Sequence, residues 1–329
     1  MDIDYSVIIR TMGTAGKKYD QLLHSISSLE PQPKHVIVVL PEGYSPPKKQ
    51  LGTEQFFYCA KGMVTQRLVG LALCKSKYAL FCDDDISFDK DFVKKLYEPV
   101  QQGLCSISVG PLLSFFPKKG SQSFCAAITA SSVQTSFHKD HYVWILSSGG
   151  WSFNRNIDTS SKHFYPTQSA AWTCFFGDTD QLRRIEMEDE LWLEKNQYAA
   201  LDDQVMFYKA FCRKIYTAVV SNAHYEHLDA KTSSSSSGFS NSTQIFAQGF
   251  NRAIFWHRFI YCPADTQLRK ATAIVCFTYR ELCLLFLAFI KCILDRNTKQ
   301  TLRTHFSGVW AGLKYLKSAE YRSLKRVTL

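Results

Sequence analysis

The chain has 329 residues, 46% of them hydrophobic and 21% charged, and its 39 Lys or Arg against 29 Asp or Glu give a formal net charge of +10. Such a length holds one large domain or a domain with an extension, and such a composition excludes an intrinsically disordered chain. The positive balance points to an anionic partner, whether nucleotide phosphate, nucleic acid or lipid headgroup.

In chain order, Tyr5 to Ile9 is a β-branched run that reads as a strand, and a loop with Gly13 and Gly16 follows it. Tyr19 to Leu29 carries Leu22, Leu23, Ile26 and Leu29 at helical spacing. Val36 to Leu40 is continuously apolar, as in a parallel strand buried on both faces. Phe56 to Tyr58 reads as a strand, Met63 to Cys74 as a helix, and Tyr78 to Cys82 as a strand running straight into Asp83, Asp84 and Asp85. A helix over Asp91 to Val100 completes a βαβαβ order, which predicts a doubly wound α/β sheet. Ligands of such sheets bind beyond the C-terminal strand ends, where the aspartates fall.

Residues 104 to 175 are more irregular and richer in strands and loops. A helix is expected over Leu201 to Phe211 and a strand over Ile215 to Val220, with His224 and His227 in the loop beyond. The polar run Ser233 to Ser237 suggests a boundary, dividing a catalytic domain (1–235) from a mainly helical, basic extension (236–329). Residues 282 to 294 are apolar but interrupted by Lys291 and preceded by Arg280 and Glu281. Those charges favour an interfacial or core helix over a bilayer span. Leu313 to Val327 is a basic amphipathic helix, suited either to anionic lipid or to packing on its own domain.

Eleven cysteines are scattered without a CxxC pair. This argues against a zinc ribbon and for small buried hydrophobes in a reducing compartment. The opening MDIDYSVIIRT has neither the basic start nor the apolar core of a signal peptide. A cytoplasmic site, peripheral on the inner face of the cell membrane, is the expectation. No RRM or zinc-finger signature supports a nucleic-acid partner.

Three adjacent carboxylates repel one another, and a hard divalent cation offsets that cost. In an extended chain Asp83 and Asp85 point the same way, towards one metal or its nucleotide. Asp202-Asp203 opens a helix, where a carboxylate serves either as an N-terminal cap or as a base for an acceptor hydroxyl. His224 and His227 are both candidates to complete a metal shell. Trp151, Trp172 and Phe175-Phe176 belong either to an acceptor cleft or to the core.

Together these segments resemble the family-2 glycosyltransferases of the GT-A fold, over about residues 5 to 260. The most specific stretch is KGMVTQRLVGLALCKSKYALFCDDDI, Lys61 to Ile86, similar to the glycine, arginine and helix that precede the family's DXD motif. LDDQVMFYKA resembles its ED motif, HLDAKTS its histidine loop, and GFNRAIFWHRF its following Arg-containing helix. The aspartate that usually ends the second strand is replaced here by Leu40-Pro41-Glu42, and the ED glutamate by Asp202.

The resemblance implies a GT-A nucleotide-diphospho-sugar transferase fold, a Rossmann-like mixed sheet with a helical C-terminal extension. It implies an inverting transfer from a nucleotide-diphosphate sugar to a glycan or lipid-linked acceptor, of the bacterial surface-polysaccharide type. Asp83, Asp85 and His227 are then the ligands of Mg²⁺ or Mn²⁺, and Asp203 the catalytic base. Arg10, Thr11, Glu42, Lys61, Arg67, Asp83 and Asp84 are the donor-binding set, and an anionic membrane surface is a further partner. A sugar-nucleotide nucleotidyltransferase is the first alternative, from the Thr11 to Lys18 loop, and a non-catalytic membrane-surface adaptor the second.

Overall fold

The computed structural model describes residues 2–111, 140–154, 160, 162–228, 241–294 and 298–327. The serine run expected as a boundary lies outside the described residues.

The first half alternates strand and helix: β1 (Tyr5–Arg10), α1 (Lys17–Ser28), β2 (His35–Pro41), β3 (Glu54–Cys59), α2 (Met63–Leu73), β4 (Tyr78–Asp83), β5 (Ile86–Phe88), α3 (Phe92–Gln101) and β6 (Ile107–Val109). Then come β7 (Val143–Ile145), β8 (Trp151–Phe153), β9 (Phe164–Thr167), β10 (Cys174–Asp178), α4 (Thr179–Arg184), a 3-10 segment (Met187–Glu194), α5 (Asp202–Cys212), β11 (Thr217–Val220) and β12 (Tyr225–His227). Eight strands form one sheet in the order β3-β2-β1-β4-β10-β6-β11-β9. The pairs from β3 to β4 are parallel, as the apolar runs predict, with Ile8 between Ile37 and Phe81. β10 enters antiparallel between β4 and β6, so the sheet is mixed, and Phe175 stacks on Phe81 with ring centroids 4.5 Å apart. A mostly parallel mixed sheet of this kind is what the resemblance implies.

Alternation along each strand sends neighbours to opposite faces. Ile8, Val39, Phe81 and Phe175 join one core cluster, and Val7, Ile9, Val38 and Phe176 join the other. Phe175 and Phe176 are therefore core residues on the two faces of the sheet. Gly70 lets α2 lie directly on β1, because a Cβ there would stand 2.3 Å from Ile8 Cγ2.

The C-terminal part is helical: α6 (Asn241–Phe255) running into a π-helical turn (Trp256–Tyr261), then α7 (Gln267–Leu294), α8 (Thr298–Tyr315) and α9 (Ala319–Ser323). α6 and α8 approach closely through glycines. A Cβ on Gly308 would meet Phe246 O at 2.2 Å, and one on Gly312 would meet Phe250 O at 2.6 Å. Phe250, Ile254, Phe255, Phe259 and Tyr315 belong to the same core cluster as the sheet.

The expected single helix from Leu313 to Val327 is divided instead. α8 ends at Tyr315, and Ser318 Oγ caps α9 by accepting from Tyr321 N at 3.1 Å. Leu316, Tyr321, Leu324 and Val327 pack on the core, and Lys325 Nζ lies 3.5 Å from Glu186 and 3.6 Å from Asp189. The tail thus turns its apolar side to its own domain.

Candidate active site

The parallel register of β1 and β4 places Arg10 beside Asp83 at the C-terminal end of the sheet. Arg10 grips that carboxylate with two nitrogens, Nε 3.1 Å from Oδ1 and Nη2 2.9 Å from Oδ2. Arg67, one helical face below on α2, adds Nη2 at 2.9 Å from Asp83 Oδ1. The same guanidinium sends Nη1 to Asp202 Oδ2 at 3.0 Å and Nη2 to the Trp172 carbonyl at 3.0 Å, and it stacks over the Trp172 ring at 4.6 Å. Arg67 is 4% exposed, so these charge-assisted bonds act in a low-dielectric setting, where they are strong. One buried arginine thereby joins the two acidic stretches, 83–85 and 202–203.

The three aspartates have three different environments. Asp83 has both oxygens engaged by guanidinium groups. Asp84 accepts from Thr11 Oγ1 at 2.6 Å, and burial, opposed by that bond and by Arg10, raises its carboxyl to about 6. Asp85 lies at the start of the small β5–β12 sheet, where its carbonyl accepts from Leu228 N at 2.7 Å. His227, paired opposite Ile86, brings Nε2 to 3.3 Å from Asp85 Oδ1. His224 precedes β12 and is exposed; it is His227 that lies beside Asp85.

Among the described residues no group of three or more His, Cys, Asp or Glu is arranged to hold a metal ion. Asp85 with His227 still suits a cation that takes most of its oxygens from a substrate diphosphate. Mg²⁺ is commonly bound by one or two carboxylates plus phosphates.

Asp202 and Asp203 open α5 after Leu201, whose φ of 65° is a strained left-handed conformation for a branched residue. Asp202 accepts from Asp203 N at 2.9 Å, and Asp203 from Gln204 N at 2.7 Å. Gln204 Nε2 donates to Gly149 O at 2.8 Å and ties the helix start to the β7–β8 turn. Burial, then the neighbouring Asp202, pushes the Asp203 carboxyl up to about 7. Burial also raises Asp202, against the pull of Arg67 and Arg10. Tyr198 is raised by burial and then by both aspartates. Asp203 forms part of the wall of a cavity of about 230 Å³ lined mainly by apolar groups, among them Tyr142, Val143, Trp151 and Phe153. A carboxyl with ordinary acidity would be fully ionised at neutral pH, whereas this one is poised to exchange a proton there.

The remaining expected donor contacts lie further out. Glu42 follows β2, is exposed, and donates its backbone N–H to Cys59 O at 2.8 Å. Lys61 Nζ reaches Tyr44 Oη at 3.2 Å. Trp172 packs under Arg67 and Trp151 lines the cavity.

Two features have no local sequence signal. Glu194 caps α2, accepting from Val64 N at 2.6 Å, Thr65 N at 3.1 Å and Thr65 Oγ1 at 2.6 Å, which satisfies orphan donors at the helix start. Glu190, fully buried, receives Lys209 Nζ at 2.7 Å and a two-pronged Arg258 at 2.7 and 2.8 Å. Burial pushes the Glu190 carboxyl up, and the two cations outweigh it and hold it below the usual range. This triad locks the π-helical turn to the 3-10 segment and α5.

Residues 59–165, about one third of the chain, match the family model described as Glycosyl transferase family 2. No curated protein matches the sequence. Among solved structures the chain is similar to the S. aureus TarS segment 1–349, with 12% identity, a TM-score of 0.46, and 95% of this chain and 92% of that one covered. It is also similar to S. aureus TarS 1–349 in complex with UDP-GlcNAc, with 15% identity, a TM-score of 0.43, and coverages of 84% and 70%. A third likeness is to S. aureus TarS, with 14% identity, a TM-score of 0.46, and coverages of 84% and 43%. The matched segment takes in α2, β4 and the three aspartates, and on that match to Glycosyl transferase family 2 the chain is a glycosyltransferase.

Proposed function

We propose that the enzyme is metal-dependent and inverting, moving a sugar from a nucleotide-diphosphate sugar to a glycan or lipid-linked acceptor in surface-polysaccharide synthesis on the cytoplasmic side. The observation that carries this reading is Arg67 joining Asp83 to Asp202, with Asp203 next in sequence and facing an apolar cavity.

Asp203 takes the proton of the acceptor hydroxyl. The acceptor oxygen forms its bond to the anomeric carbon on the face opposite the phosphate. The bond from that carbon to the phosphate oxygen breaks, and its electron pair leaves on the nucleoside diphosphate. Configuration inverts through an oxocarbenium-like transition state.

Asp85 and His227 would hold Mg²⁺ or Mn²⁺, which supplies Lewis-acid neutralisation of the leaving diphosphate. Asp83 is left to Arg10 and Arg67, orienting both guanidiniums at the strand ends where the donor phosphates or ribose lie. Thr11 and Asp84 support that edge, and Glu42 and Lys61 extend it towards the nucleobase side. Trp151 and Tyr142 give the acceptor sugar an aromatic wall.

The test is a panel of nucleotide sugars with and without Mn²⁺. Release of nucleoside diphosphate that needs Mn²⁺ and disappears in Asp203→Asn supports the reading. Release of pyrophosphate chemistry products instead would point to a nucleotidyltransferase.

A further inference from the structure

The last 63 residues carry nearly all the charge imbalance of the protein. Of the net +10, residues 267–329 hold +9, with twelve Lys or Arg against three Asp or Glu. Within this segment α7 runs 28 residues, and Gln267–Ile290 is long enough to cross a membrane by length and composition, its most apolar 18 residues having mean hydropathy 2.0.

Packing argues against a crossing. Arg280 stacks over the Trp151 ring at 5.8 Å, and Glu281 lies 3.5 Å from Arg252 and 3.3 Å from His305. Arg280 and Glu281 are only 6% and 8% exposed, so one side of α7 is committed to the protein. Leu282, Phe286, Phe289 and Ile293 on the other side are 58%, 55%, 57% and 70% exposed. At 100° per residue the exposed positions cover an arc of roughly 160°, and among the described residues between 271 and 294 no charged one falls within it.

A second copy of the chain is a poor occupant of that face. Val275, Tyr279, Leu282, Phe286, Phe289 and Ile293 have the three-four spacing of a two-helix seam, but such seams are flanked by charged residues. Here the flanks are Leu285 and Cys292 on one side and Cys283 and Ile290 on the other, which a helix pair would leave in water. A broad apolar arc in a strongly cationic segment matches instead a helix lying in the plane of an anionic bilayer.

We propose that α7 is a half-immersed membrane anchor. Its outer face sits among the acyl chains of an anionic leaflet while its inner face holds the catalytic domain. Because Arg280 on the inner face touches Trp151, and Trp151 lines the cavity at Asp203, the acceptor cavity stands about one helix diameter, roughly 10 Å, from the leaflet. An acceptor carried on a lipid fits that distance. The lipid-linked acceptor rests on the function proposed above, whereas the bilayer surface does not.

The experiment is flotation of the full chain with vesicles of phosphatidylcholine, with or without about 30% phosphatidylglycerol, at about 0.1 M NaCl. Wild-type protein is expected to float with the anionic vesicles. Leu282→Glu/Phe286→Glu/Phe289→Glu is expected to bind at least about tenfold more weakly, with an unchanged thermal midpoint. In a separate variant, Phe286→Trp, fluorescence should be quenched by acyl-brominated lipid beyond the quenching of wild type, which reads insertion without relying on the triple variant.

Wild-type protein that stays unbound overturns the proposal, as does a triple variant that floats like wild type. So does a wild-type dimer that the triple variant converts to monomer with no vesicle binding, since a second copy then covers the face. Donor hydrolysis is measured apart from vesicles: binding without hydrolysis would count against the proposed reaction and leave the anchor standing.

Discussion

Arg67 donates to Asp202 across 135 residues of sequence, Nη1 to Oδ2 at 3.0 Å, while its other terminal nitrogen holds Asp83 at 2.9 Å. The two acidic stretches, 83–85 and 202–203, are therefore held at one spacing by a single planar group. Its fork geometry and its stack on Trp172 have no equivalent in lysine.

Arg67→Lys should accordingly fail to substitute. With one guanidinium fork lost among buried carboxylates, a stability loss of about 3–5 kcal/mol is expected for Arg67→Ala, and somewhat less for lysine. Both variants should lose about 100-fold or more in kcat/KM. Denaturant midpoints and donor turnover read the two effects, and an Arg67→Lys enzyme with wild-type turnover would remove Arg67 from the site's framework.

Asp203→Asn should lower kcat by about 10²–10⁴-fold while leaving the thermal midpoint near that of wild type or slightly above it. The sign follows from burial: a carboxyl raised to about 7 is held at a disadvantage in its charged form, so removing the charge does not destabilise the fold. As a base it must be deprotonated. Activity should therefore rise about tenfold per pH unit up to about pH 7 and level off above it. Because Asp202 lies beside it, the apparent midpoint belongs to the pair. A rate flat from pH 5 to 8 would exclude Asp203 as the base.

Asp85→Asn and His227→Ala should each raise the Mn²⁺ concentration needed for half-maximal activity by about 10–100-fold. Donor binding measured without metal should change little. If metal titrations of both variants overlay the wild-type curve, the cation is held elsewhere.

Glu190 offers a stability prediction away from the chemistry. Its folded carboxyl is held below the ordinary value of 4.5, so its contribution is present above that value and fades as the pH falls through the lower folded value. Glu190→Gln leaves Lys209 and Arg258 buried without their shared anion and should cost about 3–5 kcal/mol at pH 7. Between pH 7 and pH 3.5 the wild-type urea midpoint should fall further than that of the variant.

Local periodicity made much of this protein legible before any coordinates. The period-two or continuous apolar runs at Tyr5–Ile9, Val36–Leu40 and Tyr78–Cys82 and the 3.6-period faces of α1, α2 and α3 depend on residues within one or two turns, so the parallel half of the sheet and the strand-end position of Asp83–Asp85 follow from sequence alone. The antiparallel insertion of β10, the seating of Arg67 between Asp83 and Asp202, the capping of α2 by Glu194 and the Glu190 triad do not follow. Each joins residues more than about fifty positions apart or depends on strand direction, which side-chain pattern does not encode.

The C-terminal helices show the same division. Composition marks the tail as basic and amphipathic and residues 282 to 294 as apolar, but hydrophobic spacing says only that a face is apolar, never what covers it. Tertiary packing spends the tail's apolar side on the core through Tyr321 and Leu324, and turns Arg280 inward so that Leu282, Phe286 and Phe289 face out. Sequence determined which elements form and where the acids lie along them. The meeting of the acids at one arginine, and the choice of which apolar face stays uncovered, were decided only when distant segments packed together, because burial is a property of the whole fold.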